Sequence, residues 1–323
     1  MHFIVTGGAG FIGSHLTEQL LSDGHDVTVV DNLSTGNLQN LPKHPQLKLL
    51  IKDISKCQPQ DFTEPIDGLA HLAATPSVTQ SWLQPLKAHH NNLSATIAVI
   101  QLCQALNIPR LVFASSAAVY GNPTQLPISE NQLTYPISPY GLQKLVCEQY
   151  AKLFAKQLGF SFVGLRLFNV FGPRQQPSSQ YSGVISIFVK AMQQGLPLTI
   201  YGDGTQTRDF IYVKDIANGF AKALTTHLKP GSSLICNLGN GKNISLIELV
   251  DILKTCFPQH LSVTNFMPAR PGDIQHSHAD ISNAFLMLGL TPQWSLKSGL
   301  QALINQDNTT LYPGLTQLAQ CDR

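Results

Sequence analysis

The chain has 323 residues, enough for about two domains at ~150 residues each, and 43% of them are apolar, so a large core can form without disulfides. Charged residues are only 12%, and 21 basic against 19 acidic residues leave a net charge of +2 with no long run of either sign. A nucleic-acid binder concentrates cations to neutralise phosphates, so no nucleic-acid partner is expected. No apolar stretch approaches the ~20 residues of a membrane span, and Met1–Val5 lacks the basic start of a signal peptide. The six cysteines (57, 103, 147, 236, 256, 321) are scattered without a CxxC pair, which reads as reduced thiols in a cytoplasmic protein.

Short apolar runs at Phe3–Val5, Val27–Val30, Leu47–Ile51, Leu69–Leu72 and Leu111–Ala114 read as strands. Between the first two, Ile12, Leu16, Leu20 and Leu21 share one helical face that closes near Gly24. Longer helices are expected over 85–107 and 140–158, and further strands at Phe162–Phe168 and Leu234–Leu238. Gly172 to Ser179 reads as a long polar loop, and Gly202-Asp203-Gly204 and Arg270–Asp273 as turns. Strand–helix alternation implies an α/β fold: a doubly wound, Rossmann-type parallel sheet with a smaller mixed α/β C-terminal substrate domain. The expected division is 1–171 for the first domain, with part of 206–240 returning to it, and 172–205 with 241–323 for the second.

Gly7-Gly8-Ala9-Gly10-Phe11-Ile12-Gly13 lies between the first strand and the first helix. It contains GxGxxG at Gly8, Gly10 and Gly13, and GxxGxxG at Gly7, Gly10 and Gly13. Such glycines let backbone N–H groups approach a pyrophosphate at a helix N-terminus. Asp31, at the end of the second strand, can accept from adenosine ribose hydroxyls and would repel a 2′-phosphate, so NAD is the expected cofactor.

Tyr140 and Lys144 are four apart and share a helix face. A phenol with a reference pKa of about 10 needs help to act as a base. A neighbouring ammonium and the nicotinamide cation would lower its pKa. Alone, Tyr-x-x-x-Lys is an ordinary helix-surface pattern. The segment Ser115-Ser116-Ala117-Ala118-Val119-Tyr120-Gly121 adds a serine at the C-terminal end of a strand, the edge where open α/β sheets bind ligands.

The glycine turn, Ser116, and Tyr140 with Lys144 together resemble the extended short-chain dehydrogenase/reductase family, and within it the nucleotide-sugar 4-epimerases. Further matching segments, in order, are Asp31–Gly36, Asp53-Ile54, His71–Ala74, Asn92 with Thr96, Leu165–Asn169, Gly202–Phe210 and Arg270–Asp273. One departure is Ala95, where the family often has glycine. The resemblance implies Ser116, Tyr140 and Lys144 as catalytic residues. It implies NAD held by Gly7, Gly10, Phe11, Ile12, Gly13, Asp31, Asn32, Ser34, Gly36, Asp53, Ile54, Ala73, Ala74 and Asn92, with Tyr140 and Lys144. It implies a UDP-sugar substrate held by Ser77, Ser116, Asn169, Val184, Tyr201, Arg208, Arg270, Asp273 and Ser277, and a 4-keto intermediate. A homodimer through the helices at 85–107 and 140–158 is implied as well.

Three features narrow the reaction. Dehydratases and decarboxylases of the family carry Asp or Glu just after the serine or threonine, where this chain has Ala117 and Ala118. No cysteine–lysine pair suggests an oxidative variant. At the position of Ser277 similar epimerases restricted to plain hexoses carry a bulky tyrosine, so the small serine implies room for an N-acetyl group. UDP-N-acetylglucosamine and its galacto epimer are therefore expected substrates, as well as or instead of UDP-glucose and UDP-galactose. An epimerase restricted to the plain hexoses, one acting on UDP-glucuronate, and a non-catalytic NAD-binding sensor are the alternatives. His276 and His278 lack a carboxylate or cysteine partner that would complete a ligand set, and His89-His90 reads as a polar helix face, so no metal is expected.

Overall fold

The computed structural model describes residues 1–175, 183–258, 263–269 and 274–311, with side chains described as far as Asn305. The elements in chain order are β1 (His2–Thr6), α1 (Phe11–Ser22), β2 (Asp26–Asp31), β3 (Leu47–Ile51), β4 (Gly68–His71), α2 (Val78–Leu83), α3 (Pro85–His89), α4 (Ala95–Ala105), β5 (Arg110–Ser116), α5 (Pro139–Leu158), β6 (Ser161–Leu167) and β7 (Asn169–Phe171). There follow α6 (Val184–Gln193), β8 (Leu198–Tyr201), β9 (Thr207–Arg208), β10 (Phe210–Tyr212), α7 (Val213–Thr225), β11 (Ser233–Leu238), β12 (Ile244–Ser245), α8 (Leu246–Cys256), β13 (Thr264–Met267), α9 (Ser282–Leu288) and α10 (Leu296–Leu311).

Seven parallel strands form one sheet in the order β11-β6-β5-β4-β1-β2-β3. Ile4 lies beside Thr28 of β2 on one side and Leu69 of β4 on the other. The chain order reverses direction between β1 and β4, which opens a crevice at the C-terminal ends of these strands. Successive side chains point to opposite faces, so Phe3 and Val5 pack with Leu16, Leu20, Ile216 and Phe220 of α1 and α7, while Ile4 packs with Val99, Ile100 and Ala151 of α4 and α5. Both faces are covered, which is why these strands read as unbroken apolar runs. A third cluster, including Phe188, Leu198, Leu249 and Leu300, lies under α6, α8 and α10. Strand β11 pairs with β6, and α7 packs on α1, so the chain returns to the first sheet after visiting the smaller lobe.

The helix expected over 85–107 runs without a break from Pro85 to Ala105, with one wider turn inside it. Residues His90–Ser94 form a π turn between α3 and α4. One wide turn of this kind rotates the residues on either side, and such bulges recur at functional sites. Among the described residues no helix is long and apolar enough to cross a membrane.

Candidate active site

The strand–turn–helix at the crevice is packed so tightly that only glycine fits. Gly7 has φ +69°, and a Cβ there would stand 2.8 Å from the Ala73 nitrogen. A Cβ on Gly13 would lie 2.2 Å from the Gly7 carbonyl oxygen, so α1 sits directly on the turn that precedes it. A Cβ on Gly8 would press on the Val29 side chain at 2.7 Å, so this glycine serves packing against β2. No side chain caps α1, whose N-cap is Gly10. Its first N–H groups are thus left for an anion, with the helix dipole behind them.

Asp31, at the end of β2, is buried and accepts the Ala9 and Leu33 amides at 3.0 and 2.8 Å, which turns its carboxylate toward the cleft. Asn32 donates to Asp53 at 3.2 Å. Burial raises the Asp53 pKa, but bonds from Ser55 and Asn32 outweigh it and leave the carboxyl below its usual range. A cleft of about 500 Å³ runs along this edge, lined by Gly7, Gly10, Phe11, Ile12, Gly13, Asp31, Asn32, Ser34, Asp53, Ile54, Ala73 and Ala74, and at its far end by Ser116, Tyr140 and Lys144. The glycine cradle, the uncapped helix end and a carboxylate at the end of β2 fit a dinucleotide.

Ser116 ends β5 and accepts the Ala118 amide at 3.2 Å, starting a short 3₁₀ turn over Ala117–Tyr120. Ser138 accepts the Gly141 amide and Pro139 opens α5, so Tyr140 falls in the first turn and Lys144 in the second. A Cβ on Gly141 would meet the Ala118 carbonyl oxygen at 2.4 Å. This close approach of α5 to the 3₁₀ turn brings Tyr140 and Ser116 together on the lining of the cleft. The buried Ser81 hydroxyl of α2 accepts the Tyr140 amide at 3.1 Å and fixes the start of α5 from the other side.

The electrostatics differ from the expectation of a phenol acidified by its lysine. Burial pushes the Tyr140 phenol up to about 12, only partly opposed by the Ser116 bond. Lys144 donates to the Ala114 carbonyl at 2.7 Å and lies over the Phe113 ring at 4.7 Å, against 5.9 Å for the Tyr140 ring. Burial lowers the Lys144 ammonium to about 8. The ammonium is anchored to the strand rather than to the phenol oxygen, so the chain alone keeps the phenol protonated.

A second recess of about 180 Å³ adjoins the cleft and shares Ser116, Leu167, Phe168 and Asn169 with it. Its other walls include Ala117, Ala118, Arg208, His276 and Ser277. Ser277 is buried, and its amide donates to the Thr207 carbonyl at 3.2 Å. Four of the expected substrate residues therefore meet at one place. Ser77 instead caps α2, accepting the Gln80 amide at 3.0 Å, while Val184 opens α6 and Tyr201 ends β8, all outside the linings of both spaces. Arg270 and Asp273 lie outside the described residues.

Two of the expected cofactor residues stand behind the cleft wall. Gly36 faces Asp31, where a Cβ would come within 2.9 Å of a carboxylate oxygen. Asn92, in the π turn, spends its amide inward, accepting the Thr75 amide at 2.7 Å and donating to Gln143 at 2.8 Å. Its neighbour Asn91, together with Thr75, lines the cleft instead. Sequence reasoning missed Asn91, Lys52, Arg174 and Gln175, which line the cleft too. The signal for Arg174 was present in Gly172-Pro173-Arg174, read only as loop. Arg174 is held over α1 by Ser14 at 3.0 Å and by an ion pair with Glu18. Among the described residues no group of three His, Cys, Asp or Glu side chains is placed to hold a metal.

The profile of the NAD dependent epimerase/dehydratase family matches residues 3–239. A protein described as "Putative UDP-glucose 4-epimerase" from Methanocaldococcus jannaschii is 38% identical over 304 residues, which span 94% of this chain and 97% of that protein. A solved UDP-N-acetylglucosamine 4-epimerase from Methanobrevibacter ruminantium M1, in complex with UDP-N-acetylmuramic acid, is 36% identical with a TM-score of 0.90, over 96% of this chain and 98% of its own. A UDP-glucuronic acid 4-epimerase from Bacillus cereus, in complex with UDP-glucuronic acid and NAD, is 33% identical with a TM-score of 0.86, over 96% and 100%.

Proposed function

The chain belongs to the NAD-dependent epimerase/dehydratase family, and from that premise we propose that it inverts C4 of a UDP-sugar through a 4-keto intermediate. The observation that carries this reading is the convergence of Ser116, Tyr140 and Lys144 on one end of a dinucleotide-shaped cleft that opens into a small recess. Bound NAD supplies a hydride acceptor and donor beside the sugar's C4 and a positive charge that favours phenolate over phenol at Tyr140. Tyr140 then takes the C4 hydroxyl proton as general base and returns one to the opposite configuration as general acid. Ser116 bonds the reacting oxygen and Tyr140 together, and Lys144 adds a fixed cation behind them.

Ala117 and Ala118 line the recess where a dehydratase needs a second acid or base, so proton transfer is confined to the C4 oxygen. Arg208 offers its guanidinium to the diphosphate, a charge-assisted contact that survives while the sugar turns over. Arg270 and Asp273 join this clamp in our reading. The small, buried Ser277 leaves volume beside the sugar's C2 substituent, and we assign UDP-N-acetylhexosamines as substrates alongside the plain hexoses. Similarity to the glucuronic acid epimerase favours a second reading, a 5-carboxylate sugar. Arg208 and His276 are the basic side chains among the described residues of the recess, and a carboxylate would compete with the diphosphate for them.

Incubation of the purified protein with UDP-glucose, UDP-N-acetylglucosamine and UDP-glucuronate separately, without added NAD, tests the assignment. NMR of the sugar ring is expected to show the galacto epimer for the first two. Turnover of UDP-glucuronate alone overturns the substrate class, and turnover of none overturns the activity.

We also infer a homodimer. Leu142 and Leu153 of α5 are 53% and 71% exposed and Leu86 of α3 is 76% exposed, forming apolar rows on neighbouring helices that a second copy would cover. Light scattering is expected to give twice the chain mass and a monomer for Leu153→Glu; a wild-type monomer refutes it.

A further inference from the structure

The recess has two walls that come from distant parts of the chain. Ser116 stands on β5, while Ser277 belongs to the segment 274–280. The second wall is tied to Thr207 through the Ser277 amide, and it is linked to the first by a buried polar chain that the chemistry does not use. Ser115 donates to Glu148 at 2.5 Å, and Glu148 takes a two-pronged ion pair from Arg166 at 2.9 and 2.8 Å. Arg166 donates onward to the Tyr120 hydroxyl at 2.9 Å, and that hydroxyl donates to the Asn237 side-chain oxygen at 2.6 Å. The Asn237 amide nitrogen then donates to the Ile128 carbonyl at 2.8 Å and the Asp280 carbonyl at 3.3 Å. Ile128 in turn grips the second wall, donating to the His278 carbonyl at 2.7 Å and accepting the Asp280 amide at 2.9 Å.

Tyr120 and Asn237 are the joint in this chain. Tyr120 ends the 3₁₀ turn that Ser116 begins, and it is 2% exposed; Asn237, on β11, is 0% exposed. Around the joint, Val119, Ile128, Phe168 and Ala279 form a small apolar cluster, of which Ile128 and Phe168 also face the recess. Apolar side chains of similar volume would fill this space at no loss of stability, because buried polar chains contribute little net energy. Hydrogen bonds fix distances and directions in a way that apolar contacts do not.

We propose that Tyr120 and Asn237 are positioning residues that set the width of the recess between Ser116 and Ser277, and through it the selectivity for the sugar's C2 substituent. The proposal rests on the recess being the sugar site. Removing the Tyr120 hydroxyl breaks the link between Arg166 and Asn237, so the Ser277 wall keeps its bonds to Ile128 and Thr207 but loses its polar tie to the Ser116 side, and the bulkier substituent gains relative to the hydroxyl.

Tyr120→Phe keeps the ring and deletes the joint. The kcat/KM ratio for UDP-N-acetylglucosamine over UDP-glucose is expected to rise ~5-fold, the equivalent of one neutral hydrogen bond, through KM rather than kcat. The pH profile of kcat and the bound NAD content are expected to stay unchanged. Hydrogen exchange is expected to quicken over residues 276–280 and not over β1–β4. A purely structural role lowers the melting temperature and leaves the ratio and the local exchange alone, and that result overturns the proposal. If Tyr120→Phe does not fold, Asn237→Ala is read by the same ratio. Wild-type protein that turns over no UDP-sugar refutes the proposed activity instead, which separates the two failures.

Discussion

Gly13→Ala isolates the fit between α1 and the cofactor turn. The added Cβ would begin 2.2 Å from the Gly7 carbonyl oxygen and 2.8 Å from the Gly7 carbonyl carbon and Gly8 Cα, all backbone atoms that no rotamer change can move aside. Ordinary contact begins near 3.4 Å, so α1 has to retreat by about 1.2 Å. Interiors are packed like crystals, and an intrusion of this size costs roughly 1–3 kcal/mol. The retreat also withdraws the α1 N–H groups from the anion they face. The same ~1–3 kcal/mol expressed in binding is a ~5- to ~150-fold loss of NAD affinity. The assay is the NAD released per chain on denaturation, measured by absorbance after separation, beside a thermal melt. Gly24→Ala is the control: φ is +79° but nothing lies within 4 Å of its Cβ, so it carries backbone strain of ~1–2 kcal/mol and no cofactor effect. A Gly13→Ala protein that retains its NAD in full while the control does not would refute the reasoning.

Three other outcomes follow from the site and its supports. Tyr140→Phe should lower kcat by ~10²–10⁴, the usual contribution of general acid–base catalysis, with UDP-sugar binding by calorimetry retained; activity near wild type removes Tyr140 from the chemistry. His71 is buried between Thr6 at 2.8 Å and Thr96 at 3.2 Å, and burial, then the Lys144 charge, lower it to about 3. Its unfolded form binds a proton below ~6.5, so stability is full above that pH and falls by ~1.4 kcal/mol per pH unit toward pH 3. Urea midpoints between pH 7 and 4.5 should therefore decline less steeply in His71→Gln, and parallel slopes would contradict the assignment. Glu148 and Arg166 are 0% and 4% exposed. Glu148→Gln is expected to cost ~3–5 kcal/mol in urea unfolding while Glu148→Leu with Arg166→Met costs far less. Equal losses would mean that the unpaired charge is not the cause.

The apolar runs and the glycine turn are local signals. The seven strand segments and the covering of both sheet faces could be read from them, because period and turn chemistry are properties of a few neighbouring residues. The family resemblance added the order of the site segments. The π turn at His90–Ser94 within the expected helix was not legible, since the side chain of Asn92 there bonds Thr75 and Gln143, 17 and 51 residues away.

The same distinction runs through the site. By itself the amino-acid order determined that a glycine turn after the first strand, a serine at a strand end and a Tyr–Lys pair on a helix all accompany one parallel sheet. Tertiary structure alone decided that Lys144 is anchored to the Ala114 carbonyl, that burial pushes the phenol of Tyr140 up, and that Arg174 folds back over α1. Hydrophobic periodicity records which face of an element is buried. It carries no information about which remote backbone carbonyl or carboxylate a buried polar group will find, and those partners set the charges on which the chemistry depends.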